Sequence, residues 1–263
     1  MYSSKSNVLQ LGGLLKAHGI HQVVLSPGSR NSPIAQSLAG DAFFTCHSVV
    51  DERSAGFYAL GLIQQTSEAA AICCTSGTAA LNYAPAVAEA FYQGLPLVVI
   101  TADRPAAWIG QMAGQTLPQA GMFRSLVKKA VQLPEIASAE DEWYCNRLIN
   151  EALLATHHHG RGPVHINIPL SEPLSGHTCG PIPEVRRIRR ANSIDTYSRR
   201  LAASFERPLI IVGQLHRCDF YLPLNDLQLR YNCVVLAEHL SNIPPPYFIR
   251  NFDALLGSLA EGE

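Results

Sequence analysis

The sequence has 263 residues, a formal net charge of -1, 47% hydrophobic and 16% charged residues. That length buries a core without metal or disulfide staples, and the near-neutral charge gives no electrostatic footprint for nucleic acid or an anionic membrane. Seven cysteines, odd in number and without a C-x-x-C pair, support neither a zinc site nor a disulfide framework. The polar start Met1-Tyr2-Ser3-Ser4-Lys5 is no signal-peptide core. No apolar run is long enough to span a bilayer, so the expected compartment is the cytoplasm, with reduced thiols.

Short β-branched runs alternate with longer helical patterns. Val8, Leu11 and Leu15 recur at helical spacing and Gly19 is a stop signal. A strand is expected at 22–25, a loop at 26–33 and a helix from about Pro33. A second strand follows at 43–47 and a helix at 51–65. The apolar run 69–74 reads as a buried strand, the residues 75–78 as its loop, and the stretch bearing Ala79, Ala80, Ala84 and Ala88 as a helix that packs closely. Strands at 97–100, 128–133 and 164–168, with a helix at 139–156 between the last two, complete a six-strand α/β pattern with parallel pairing and right-handed crossovers. Ligands on such sheets bind at the carboxyl ends of the strands, where all the polar loops fall.

From 171 to 190 the composition turns to Pro, Gly and Arg, which reads as an interdomain connection. The run Arg186-Arg187-Ile188-Arg189-Arg190 within it fits a solvated linker better than a nucleic-acid arm. A second α/β pattern then begins, with a helix at 194–205, a strand at 209–212, a helix at 222–231 and a strand at 233–237. Two strands do not make a stable domain, so this part reads as incomplete. The expected organisation is a domain at 1–175, a linker at 176–191 and an incomplete α/β domain at 192–263.

Four constellations could carry chemistry. In Ser26-Pro27-Gly28-Ser29-Arg30-Asn31-Ser32, a strand-to-helix turn offers backbone N–H groups, and Arg30 offers a fork suited to carboxylate or phosphate. A capped turn with a surface arginine fits as well, and a Walker loop is excluded by the missing Lys-Ser/Thr ending. In Val49-Val50-Asp51-Glu52-Arg53, a carboxylate just after a strand could face a crevice and bond a heterocyclic nitrogen; locally, a capping Asp with a first-turn Glu is the simpler reading. Thr75-Ser76-Gly77-Thr78 could contact a polar ligand or merely start a helix. Arg104, in Thr101-Ala102-Asp103-Arg104-Pro105 and followed by Gln111, Gln115 and Gln119, is a second candidate carboxylate clamp or a partner of Asp103. His157-His158-His159 point in different directions on a helix and suit a helix C-terminus better than a metal.

Together these segments, with Pro96-Leu97-Val98-Val99-Ile100-Thr101 and Gly162-Pro163-Val164-His165-Ile166-Asn167-Ile168-Pro169-Leu170, resemble thiamine-diphosphate enzymes of the acetohydroxyacid synthase and pyruvate oxidase type. Ser26 to Pro33, Asp51 to Phe57 and Thr101 to Pro105 resemble more narrowly a branch that serves menaquinone biosynthesis. The resemblance is dense over residues 7–175. It implies a pyrimidine-binding domain of flavodoxin-like topology, with thiamine diphosphate lying between it and the diphosphate-binding domain of a partner subunit in a homodimer or homotetramer. Glu52 matches the family glutamate that hydrogen-bonds N1′ of the aminopyrimidine and favours its imino tautomer. The residues Thr75, Ser76, Gly77 and Thr78 match cofactor-contacting positions, and Ser29, Arg30, Arg104 and Gln115 match positions that line the substrate pocket.

The implied reaction decarboxylates 2-oxoglutarate and adds the resulting carbanion to isochorismate, with the cofactor holding the electrons. Both substrates are carboxylates, which suits the two arginines. Two other readings stay open: a pyruvate-using relative and a non-catalytic α/β module. The family's Gly-Asp-Gly…Asn motif for diphosphate and Mg2+ is not found, since Ala39-Gly40-Asp41-Ala42 lies in the wrong domain and lacks the second Gly. The chain is therefore expected to be the front part of a longer enzyme, to lack the C-terminal diphosphate-binding domain, and to be inactive alone.

Overall fold

A computed structural model describes residues 2–178, 180–190, 208–216, 221–244, 248–249 and 251–258. Two compact units divide the chain, residues 1–190 and 191–263. In the first, β1 (Tyr2–Ser3) leads into α1 (Ser6–Ala17), β2 (Gln22–Leu25), α2 (Ser32–Ala39), β3 (Thr45–Ser48), α3 (Glu52–Thr66) and β4 (Ala70–Cys74). Then come α4 (Thr78–Asn82), α5 (Ala84–Gln93), β5 (Leu97–Asp103), β6 (Lys129–Gln132), α6 (Ala139–Ala155), β7 (Val164–Pro169) and β8 (His177–Thr178).

The six long strands pair in the order β3-β2-β4-β5-β7-β6, every pair parallel. This is the flavodoxin-like arrangement with β7, last of the six in the chain, inserted between β5 and β6. Side chains alternate across the strands, so each face of the sheet has its own core. Val23, Leu25, Cys73, Ile100 and Ile166 lie in one cluster with Leu11 and Leu15 of α1 and Ile149 of α6. Val24, Ile72, Cys74 and Val99 lie in the other with Ala59 and Ile63 of α3 and Ala86 and Ala90 of α5. The buried Cys73 and Cys145 thiols are pushed up to about 12 by burial, and Cys46, Cys73, Cys74, Cys145 and Cys233 are all free.

Several expectations change in detail. The single Ala-rich helix is two, because Pro85 restarts the chain beyond Tyr83. β5 runs three residues further than expected, through Asp103. The short antiparallel pair β1–β8 was not foreseen; it ties the chain start to the segment after β7. The helix α6 opens with a capping box between Ser138 and Asp141. It ends at the three histidines, where Lys128 Nζ donates to the His158, His159 and Gly160 carbonyls, so the run belongs to a helix terminus. Among the described residues no group of three or more His, Cys, Asp or Glu could hold a metal.

Residues 181–190 run along α1 and α6. Ile182 is buried in the first core, Asn146 and Asn150 each donate to the Arg186 carbonyl, and the Ile188 N–H donates to Asn150 Oδ1 at 2.8 Å. The Arg186, Arg187, Arg189 and Arg190 residues are exposed, as a solvated stretch requires.

In the second unit, β9 (Leu209–Val212) pairs in parallel with β10 (Val234–Ala237), and α7 (Tyr221–Tyr231) connects them. A short α8 (Phe252–Gly257) follows. Its small core holds Leu224, Cys233, Val235, Ala237, Ile243 and Phe248. The helix expected at 194–205 lies outside the described residues.

Candidate active site

The strand order reverses direction at β2, whose neighbours are β3 and β4. A crevice opens where crossovers leave such a sheet on opposite faces. The loops that follow β2, β3 and β4 carry Ser29 and Arg30, Glu52, and Thr75 to Thr78, so seven expected positions lie at one carboxyl edge. The loops after β5 and β7 bring Arg104, Ser171 and Glu172 to the same edge.

Asp51 and Glu52 divide the tasks that local sequence left mixed. Asp51 is the N-cap of α3, and its Oδ1 accepts the Ser54 N–H at 2.7 Å. Glu52 is the first helical residue. Its half-buried carboxylate has no hydrogen-bond or ion-pair partner among the described residues. Its charge reaches two buried groups: burial first, then neighbouring charges including that of Glu52, push the Cys74 thiol and the Tyr83 phenol up.

The β2 and β4 loops touch. A Cβ on Gly28 would sit 2.4 Å from Thr75 Cβ, so only glycine lets the two turns approach. The Arg30 N–H donates to Thr75 Oγ1 at 3.3 Å, and Asn31 Nδ2 donates to the Ser26 carbonyl at 2.9 Å. Asn31 Oδ1 is buried without a partner. Gly77 adopts φ +82° and ψ −142°, a conformation that side chains resist. Its N–H donates to Gln119 Oε1 at 2.7 Å, and Gln115 Nε2 donates to the Ser76 carbonyl at 3.0 Å. Gln115 is therefore a brace over the Ser76–Gly77 turn.

Behind this edge lies a polar network that sequence reading missed. The Thr101 hydroxyl donates to Asn167 Oδ1 at 2.7 Å and stands 2.8 Å from His165 Nε2. Gln119 Nε2 donates to Asn167 Oδ1 and to the Ala102 carbonyl, and Asn167 Nδ2 donates to Asp103 Oδ2 at 2.8 Å. Because the Thr101 proton goes to Asn167, its oxygen accepts from His165 Nε2–H. Nδ1 then carries no proton and is buried without a partner. Burial lowers the His165 imidazole to about 4. Burial also raises Asp103, against the lowering by Asn167, the Arg104 N–H and both arginines. The signal was present: Thr101 and Asp103 on β5, and His165 and Asn167 on β7, fall at every second residue on one face.

The two arginines are placed differently. The Arg30 side chain is 7% exposed; its Nη1 donates to the Leu170 carbonyl at 2.8 Å and its Nη2 lies 2.9 Å from Glu172 Oε1. The half-buried Arg104 donates its backbone N–H to Asp103 Oδ1 and its Nε to the Gly114 carbonyl at 2.9 Å. No carboxylate lies within ion-pair distance of the Arg104 guanidinium among the described residues, so the expected pairing with Asp103 is through the backbone alone. Arg30, Arg104, Pro105, Trp108, Gly114, Ser171 and Glu172 help to line a cleft of about 470 Å³. Its two guanidinium groups suit a ligand that carries carboxylates.

Residues 10–123 match the family model described as thiamine pyrophosphate enzyme, N-terminal TPP binding domain. Similar curated proteins include the 2-succinyl-5-enolpyruvyl-6-hydroxy-3-cyclohexene-1-carboxylate synthases of Bacteroides thetaiotaomicron, 56% identical over 99% of this chain and 48% of the relative, and of Porphyromonas gingivalis, 41% identical over 100% and 47%. The synthase of the same name from Desulfotalea psychrophila is 45% identical over 66% of this chain and 32% of its own length. The chain spans about half the length of the first two relatives.

Proposed function

Because the chain belongs to the thiamine pyrophosphate enzymes through its N-terminal TPP binding domain, we propose that it supplies the cofactor-activating half of a carboligase site. The observation that carries this is the pairing of Asp51, spent on the helix cap, with Glu52, whose carboxylate is left without a partner among the described residues. A half-buried carboxylate with an open face fits a protonated heterocyclic nitrogen, so the residues present fit an aminopyrimidine. Bound thiamine diphosphate supplies the electron sink that decarboxylation of a 2-oxo acid needs. Glu52 holds the proton at N1′ of the pyrimidine. The 75–78 loop, at the same carboxyl edge of the sheet, supplies a cofactor-binding surface. The Gly-Asp-Gly…Asn motif that would hold the diphosphate and Mg2+ in the family is not among these 263 residues.

The substrates are 2-oxoglutarate and isochorismate, both carboxylates, taken at Ser29, Arg30, Arg104 and Gln115. Arg30 and Arg104 neutralise and orient their carboxylates, and Gln115 keeps the Ser76–Gly77 turn in place beside them. The product is 2-succinyl-5-enolpyruvyl-6-hydroxy-3-cyclohexene-1-carboxylate, and the setting is menaquinone biosynthesis in the cytoplasm. No helix among the described residues is long and apolar enough to cross a membrane. Phe57 on α3, Leu81 on α4, and Phe91 and Tyr92 on α5 are exposed on one side of the sheet. Such a surface suits a second copy of the chain in a homodimer or homotetramer. The test is an assay of the full-length protein with isochorismate plus 2-oxoglutarate against pyruvate alone. Turnover only with the first pair is expected, and turnover only with pyruvate rejects the reading.

A further inference from the structure

The cleft between Arg30 and Arg104 already holds a carboxylate, that of Glu172. We propose that Glu172 is the displaceable internal occupant of the Arg30 seat, and that it sets how tightly the cleft takes a carboxylate ligand. This rests on reading the cleft as a carboxylate site.

Arg30 is buried and could not remain there unpaired at reasonable cost. Two acceptors bond it, and the Asp103 carboxylate acts on it through charge alone. The Leu170 carbonyl is part of the backbone at the end of β7 and stays. The carboxylate of Asp103 feels the Arg30 charge, but it is buried and tied to Asn167 and to the Arg104 N–H. Glu172 differs: its side chain is 67% exposed, and among the described residues its carboxylate is bound by Arg30 alone. The backbone next to it is fixed, since the Ser171 N–H donates to Glu135 Oε1 at 2.6 Å and Lys5 Nζ donates to the Ser171 carbonyl at 2.7 Å. Glu172 is thus a side chain free to swing on a fixed base.

The exchange is one carboxylate for another, with the charge-assisted bonds to Arg30 conserved. A ligand with a single carboxylate gains little by displacing Glu172. A ligand that also engages Arg104, whose guanidinium has no carboxylate partner among the described residues, gains a second charge-assisted contact. If Glu172 occupies the seat in about nine molecules of ten, apparent affinity falls about tenfold, because only the remaining fraction is competent.

The test is a titration of this chain with 2-oxoglutarate, followed by the NMR signal of the Trp108 indole at the mouth of the cleft. Trp143→Phe assigns it, since the sequence holds two tryptophans. Glu172→Gln and Glu172→Ala are each expected to tighten binding about three- to tenfold. Binding that is unchanged or weaker in both, while Arg104→Ala still weakens the parent chain, overturns the inference and leaves the carboxylate cleft standing. Weaker binding is what a role in positioning Arg30 would give. A failure of 2-oxoglutarate to shift Trp108 in the parent chain and in both variants overturns the inference and the cleft reading together.

Discussion

On the β5–β7 side of the sheet's carboxyl edge, Thr101, Asp103, Gln119, His165 and Asn167 bond one another. On the β2–β4 side, among the described residues, the Glu52 carboxylate has no hydrogen-bond or ion-pair partner and Asn31 Oδ1 is buried without one. Both sides are polar and both sit on strands of one parallel sheet. A buried polar group costs free energy unless it is bonded, so the first side has met that requirement internally at every network atom but His165 Nδ1, while the second leaves it for something else to meet. On the proposed reading, the first side is built for shape and the second for a ligand.

Substitutions should separate the two sides accordingly. The largest effect is expected from Glu52→Gln in the full-length enzyme: turnover falls about 10²- to 10⁴-fold while the unfolding midpoint scarcely moves. Turnover within a few-fold of the parent would erase the distinction. Asn167→Ala should do the reverse, since it strips partners from Thr101, Gln119 and Asp103 at once. A stability loss of about 2–4 kcal/mol is expected in denaturant unfolding.

His165 gives the closed side a pH signature. Its pKa is lowered from 6.5 to about 4 in the folded protein, so between those values the unfolded chain binds the extra proton. Stability from this residue is complete above about 6.5, falls as pH drops, and is lost by about 4. The loss is about 3 kcal/mol at most. His165→Gln should flatten the dependence over that window in urea titrations at stepped pH, and an unaltered slope would assign it to another group. The smallest effect belongs to Asp51→Ala, which removes a helix cap. A fall of a few degrees in Tm is expected, with turnover retained; a loss of turnover like that of Glu52→Gln would mean that the two neighbours share one role.

Much of the fold was legible in the sequence because apolar runs and their loops alternate regularly. The strands at 22–25 and 70–74 and the helices α3 and α6 fall within a residue or two of expectation. Elements set by distant contacts were not legible. The β1–β8 pair joins residues far apart in the chain, and the strap at 181–190 reads as a linker until Ile182 is seen buried against α1. At the site, motifs carried by consecutive residues were found. The network was missed because His165 and Asn167 looked like apolar-strand residues, and their meaning depends on β5 being the neighbour of β7. Glu172 was missed for the same reason: its partner lies 142 positions away.

The central claim is that Glu52 activates a bound thiamine cofactor. It is tested most directly by the rate at which the cofactor's C2 hydrogen exchanges with deuterium in the full-length enzyme, parent against Glu52→Gln, with cofactor occupancy measured in both. The account predicts exchange at least about 100-fold slower in the variant at equal occupancy. Equal exchange rates at equal occupancy would contradict it.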